Sequence, residues 1–150
     1  MFHRNLLAFV GVLMLSLTSV GCGGAGAGGL AEQRALWVQK NVSSYRYELR
    51  QICFCHDSGV PYEIRVQDGA IVEVKNKTTG EVIDSSHFGA YLTIEGLFNK
   101  IQDAVDRDAY KLEVSYDPAY GFPASASIDY IEHAVDEEYG FRASALTPLP

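Results

Sequence analysis

Several short segments of this chain alternate apolar and polar residues with a period of two, and that alternation limits its folds more than any other feature. The clearest case is residues 45–51, where Tyr45, Tyr47 and Leu49 alternate with Arg46, Glu48 and Arg50. Successive strand side chains point to opposite faces, so this pattern describes a strand buried on one side and wet on the other. Residues 62–76 carry two more strands around Asp68-Gly69. A two-residue loop there sets Ile64 opposite Glu73 and mixes the faces. A three-residue loop, residues 67–69 with Gly69 left-handed, pairs Ile64 with Val72 and Tyr62 with Val74. The three-residue loop is therefore expected. A short strand is expected at 81–83, followed by a loop over 84–91. Tyr110, Leu112, Val114 and Tyr116 are in phase, as are Ala126, Ile128 and Tyr130, while Phe141, Ala143 and Ala145 suggest a last, weaker strand.

Two segments change period. In residues 93–106, Ile94, Leu97, Phe98, Ile101, Ala104 and Val105 fall on one broad apolar helical face. Thr93 is placed to cap that helix, and Leu92 to staple onto Leu97. Residues 30–42 predict a second helix with Ala31, Ala35, Val38 and Val42 on one stripe and Trp37 beside it. The expected fold is α+β: an antiparallel sheet of about six strands, with two helices packed mainly on one face and the other face partly wet.

The N-terminus reads as an address. Met1-Phe2-His3-Arg4-Asn5 is followed by an apolar run over residues 6–15 and a more polar stretch leading to Cys22. A charged start, a short apolar middle and small residues before a cut point make a secretory signal, too short and too diluted for a permanent spanning helix. Ser19-Val20-Gly21-Cys22 resembles the lipobox of bacterial lipoproteins, in which the cysteine is acylated and becomes the first residue. Ser19 stands where leucine is usual. The expected organisation is a signal peptide over residues 1–21 cleaved before Cys22, a flexible Gly/Ala tether over 22–29, and one α+β domain over 30–150. The chain is then exported and lipid-anchored to a bacterial membrane, on its outer-membrane, periplasmic or cell-surface side.

The formal charge is −7, and losing Arg4 with the signal leaves eleven Lys and Arg against 19 Asp and Glu, a balance of −8. A nucleic-acid partner calls for a basic footprint, so none is expected. The membrane, reached through the lipid, is one expected partner. An envelope protein or ligand is the other.

Trp37, Tyr45-Arg46-Tyr47, Cys53-Phe54-Cys55, Val66-Gln67-Asp68-Gly69, Thr93-Ile94-Glu95-Gly96-Leu97-Phe98, Val114-Ser115-Tyr116-Asp117 and Gly121-Phe122-Pro123, in this order and spacing, resemble the domain of unknown function 6174 family of bacterial exported proteins. The resemblance implies a lipoprotein-like signal and a single small domain. It implies no activity.

Cys53-Phe54-Cys55 carries the most chemistry. With Cys22 taken by lipid, Cys53 and Cys55 form an even set in an oxidising compartment and are the candidate disulfide or redox pair. In a flat strand, residues i and i+2 stand about 6.6 Å apart, too far for a disulfide, so the strand must kink or end there, or the thiols stay reduced. Three readings follow, in descending weight. The pair fixes a strand end. It exchanges with other thiols, as a strained disulfide does readily. Or Cys53, Cys55 and His56, with His87 or His133, bind a metal, although a strand would turn His56 away from both cysteines.

The remaining candidates are weaker. Asp117, Asp129, Asp136, Glu137 and Glu138 lack the spacing of a calcium loop. Ser85-Ser86 near His87 lacks an orienting acid and oxyanion donors. The Gly-rich run follows no strand and lacks the Lys-Ser/Thr of a phosphate cradle. No catalytic residue, metal or cofactor is therefore assigned, and the reading leans away from an enzyme. A tethered, non-enzymatic binding module leads, ahead of a thiol–disulfide redox protein using Cys53 and Cys55, with an inhibitor of a secreted enzyme third.

Overall fold

The structure is a computed structural model, and it describes residues 29–134 and 136–150. Helix α1 (Leu30–Gln39) leads into three strands, β1 (Tyr45–Cys53), β2 (Pro61–Gln67) and β3 (Ala70–Asn76). A 3-10 helix (Ser85–Ala90) and α2 (Ile94–Asp106) follow, then β4 (Lys111–Tyr116), β5 (Pro123–Asp129) and β6 (Tyr139–Pro148). The strands form one six-stranded antiparallel sheet in the order β3-β2-β1-β6-β5-β4. It consists of two three-stranded meanders joined where the first strand pairs with the last. No helix among the described residues is long and apolar enough to cross a membrane.

Register explains the core. Directly opposed residues of antiparallel strands share a face. Tyr45, Tyr47 and Leu49 lie opposite Val66, Ile64 and Tyr62, and Leu49 also lies opposite Ala143. Phe141 faces Ala126, and Ile128 faces Leu112. This set is buried together with Ile94, Leu97, Phe98, Ile101 and Ala104 of α2. The alternate positions, among them Arg46, Arg50, Arg65, Glu113, Ser127 and Arg142, are exposed.

The long helix follows its sequence except at Val105, which lies at the edge of the apolar face and is 40 % exposed. Thr93 accepts a hydrogen bond from the Gly96 amide and satisfies one of the first-turn donors that lack a helical partner. The short helix is rotated from expectation: Leu30 and Trp37 are its buried residues, whereas Ala31 and Ala35 are exposed and Val38 is 68 % exposed. Trp37 meets Tyr45 edge-on, with ring centroids 5.5 Å apart. Trp37 is the largest side chain on this helix, and the observed rotation turns it, with Leu30, into the core.

The β2–β3 turn also differs. Gln67 pairs with Ala70 and Val66 with Ile71, so the loop has two residues, Asp68 and Gly69, with φ of 48° and 79°. Positive φ at both central positions suits the right-handed twist of a tight hairpin. The expected mixing of faces is avoided by a bulge after Arg65–Glu73, which leaves Val72 unpaired and restores Ile64 opposite Val74. The 81–83 segment is only a bridge, Lys75 to Val82, and residues 84–91 include the 3-10 helix, capped by Asp84. The segment read as a weak last strand is a central, ten-residue one.

The connection after β4 docks on α1. Asp117 accepts the amides of Ala119 and Tyr120, and Gly121 takes φ 78°. A Cβ on Gly121 would lie 2.7 Å from the Gln33 carbonyl oxygen and 3.1 Å from the Leu36 side chain, so only glycine admits this approach.

Candidate functional site

The cysteines end a strand. β1 stops at Cys53, the Cys55 amide donates to the Cys53 carbonyl at 2.8 Å, and the two Cα atoms close to 5.2 Å. That i+2 to i bond is a three-residue turn, the kink a disulfide at this spacing demands. The Cys53–Cys55 disulfide is formed. The Gly59 amide donates to Gln51 O and the Cys53 amide to Ser58 Oγ, which closes the loop behind it. Phe54, at the apex, is pushed out to 82 % exposure.

Phe54 stands over a depression of about 600 Å³ on the exposed face of the sheet. Its shape follows from side-chain size. Across the strands one row runs Ile52, Gly140, Ser127, Glu113, and the next runs Arg50, Arg142, Ser125, Ser115. In the first row Gly140 and Ser127 form a low floor between Ile52 and Glu113, and in the second Ser125 and Ser115 continue it beside Arg142. Ile52, 49 % exposed, and Phe54 make the apolar wall. Arg142 lies towards one end of the trough, and Asp136 and Glu138 towards the other. On the opposite side of the disulfide, a cavity of about 310 Å³ is lined by Leu49, Val60, Tyr62 and Tyr91.

The other candidates take ordinary roles. His56 is exposed next to Asp57, and His87 and His133 are exposed elsewhere. Both cysteines are used by the disulfide, and no three His, Cys, Asp or Glu among the described residues come together to hold an ion. The Ser86 amide and hydroxyl donate to Asp84, holding its carboxylate below the usual range as a helix cap. Glu137 accepts the amides of Tyr130 and Ile131. Burial raises the phenols of Tyr45 and Tyr47 far above the ordinary value and that of Tyr139 to about 12, so none of the three serves as a base near neutral pH. Cys22 lies outside the described residues.

Glu95 joins α2 to α1 and β1. Trp37 Nε1 donates to its carboxylate at 2.9 Å and Tyr45 Oη at 3.1 Å, while Tyr45 Oη accepts the Ile94 amide. The Tyr47 hydroxyl donates to the Leu92 carbonyl. The family model described as a family of unknown function, DUF6174, matches residues 29–148. The chain belongs to this family. No curated protein and no solved structure matches the chain. Most of the residues that carry the DUF6174 resemblance hold the fold: Trp37, Tyr45 and Glu95 clip α1 to α2, Asp68-Gly69 makes the tight hairpin, and Gly121 seats the β4–β5 connection. Cys53-Phe54-Cys55 is the family segment that also shapes the exposed surface.

The sequence reading did not single out Ile52, Gly140, Ser125 or Ser127. A signal for Ile52 existed, because it continues the outward series Arg46, Glu48, Arg50 with an apolar residue. Gly140 and the serines carry no such signal, since small residues in strands mark weak propensity as readily as a floor.

Proposed function

We propose that this protein is a non-enzymatic binding module of a bacterial envelope, tethered by lipid on Cys22, whose exposed sheet face is its binding surface. Both helices, on this reading, cover the opposite, apolar face. The observation that carries it is Ile52 and Phe54 standing exposed together beside the trough. Aromatic side chains, phenylalanine among them, are enriched at protein interfaces relative to the rest of the surface.

Site-specific photo-crosslinking in cells tests the surface. Probes placed at Arg50 and Ser127 are expected to trap a partner, and probes at Gln39 and Asn99 are not. Equal yields from both sides would defeat the assignment. Mass spectrometry of the mature protein tests the tether: acyl chains on Cys22 are expected, and an unmodified Cys22 would remove it.

The exposure of Cys55 favours a second reading, thiol–disulfide exchange. An incoming thiolate would attack Cys55 Sγ, form a mixed disulfide and release Cys53 as thiolate. A double Cys53→Ser, Cys55→Ser variant with an unchanged cellular phenotype would exclude this reading.

A further inference from the structure

We infer that the trough takes an extended peptide segment of a partner protein, lying along β5 and β6 with an apolar side chain against Ile52 and Phe54. The inference deepens the proposed function and rests on the exposed sheet face being the binding surface. The peptide's acidic group lies at the Arg142 end and its basic group at the Asp136–Glu138 end.

The dimensions suit a single extended chain. Ile52 and Glu113 stand three strand spacings apart, about 14 Å, and leave room for one strand between two ridges. Arg142 and Glu138 are four residues apart along the chain, about 13 Å if extended, the reach of four residues of extended peptide. The floor offers hydroxyls: Ser125 Oγ and Ser115 Oγ bond each other at 2.7 Å, and Ser127 is exposed beside them. A Cβ on Gly140 would come within 3.1 Å of Ala126 O and 3.6 Å of Ile52 Cβ, so glycine both permits the strand packing and keeps the floor deep.

Charge sets the direction. Arg142 lies directly opposite Arg50 across the β1–β6 pair, an arrangement that disfavours itself. Arg50 donates to Glu48 at 3.1 Å, whereas Arg142 makes no ion pair among the described residues. Asp136 and Glu138 likewise make none. A partner bringing a carboxylate to Arg142 and a cation to Glu138 satisfies both ends at once. Neither a membrane nor a nucleic acid does so: anionic headgroups or phosphates would meet Asp136, Glu138 and Glu113 around Phe54. The disulfide holds Phe54 outward before binding, which lowers the ordering cost of using it as an anchor.

A display library of random decapeptides, selected on the full chain purified in detergent, tests this. Enriched peptides are expected to share an apolar residue with basic and acidic residues on fixed opposite sides. A synthetic consensus peptide is expected to bind about tenfold or more weakly to Phe54→Ser and to Arg142→Glu, both exposed positions whose substitution leaves the core intact. Arg142→Glu combined with Glu138→Lys is expected to select the reversed charge order. Peptides that bind both single variants as well as the wild type overturn the inference, and so does a selection without enrichment. If enrichment fails while open-face cross-links persist in cells, the peptide falls and the binding face stands. If both fail, both fall.

Discussion

The carboxylate of Glu95, on the first turn of α2, accepts the indole N–H of Trp37 from α1 at 2.9 Å. The same carboxylate takes the hydroxyl of Tyr45, so one side chain at the rim of the core holds a helix, a strand and a second helix in register.

Removing that acceptor should be felt at all three elements. Glu95→Leu leaves the Trp37 and Tyr45 donors unmatched and is expected to destabilise the fold by about 1–3 kcal/mol. Glu95→Gln retains one acceptor oxygen and is expected to cost less. Urea unfolding midpoints of the two variants, compared at constant m-value, check the order.

Gly121 and Gly69 share a left-handed backbone but not their surroundings, which separates two causes. Gly69→Ala has nothing within 4 Å of its new Cβ and is expected to lose only the conformational term, about 1–2 kcal/mol. Gly121→Ala adds a collision with the Gln33 carbonyl of α1 and is expected to lose about 2–4 kcal/mol. Thermal unfolding of the pair distinguishes them, and equal losses would contradict the close approach.

The disulfide closes so short a loop that it constrains the unfolded chain little. The chain-entropy relation gives about 1.6 kcal/mol for a ring of three residues. The Cys53→Ser, Cys55→Ser variant is therefore expected to fold with a modest loss of stability. Its clearest change should be local, with faster hydrogen exchange at the Cys55 amide, which donates to Cys53 O.

Glu48 should shape the acid limb of stability. The hydrogen bond from Lys77, followed by that from Arg50, holds its carboxyl below the usual range against the opposing effect of partial burial. A depressed folded pKa gives stability that is complete above the unfolded pKa and lost as pH falls through the folded one. Wild type is therefore expected to lose more stability than Glu48→Gln between about pH 6 and pH 3. Denaturant titrations at the two pH values read the difference, and parallel losses would assign the acid limb to other groups.

How far the sequence revealed these relationships varies with the physics behind each. Tyr45, Tyr47 and Leu49 were legible because alternation on a half-buried strand has one consistent phase. The α2 face was legible because its apolar residues leave one rotation, which buries five of the six and leaves Val105 at the exposed edge. In α1, two stripes satisfy helical spacing, and the choice between them is made by Tyr45 and Glu95, distant in sequence. The hairpin was misread because a bulge corrects the facing without changing the turn. β6 looked weak since its inward residues include small ones and its outward side needs Gly140 to make the trough. Of the site, the disulfide corner was visible as a spacing problem. The trough was not, because it depends on which strands end up side by side.

Those neighbours carry a consequence for how the chain assembles. β1, made early, finds its central partner only in β6, the last strand of the described chain. Each meander can form from local contacts, but joining them closes a very long loop, the high-contact-order step that slows β-rich folding. Truncation within β6 therefore does not trim an edge. It splits the sheet down its middle and separates the wall bearing Phe54 from the floor beside it.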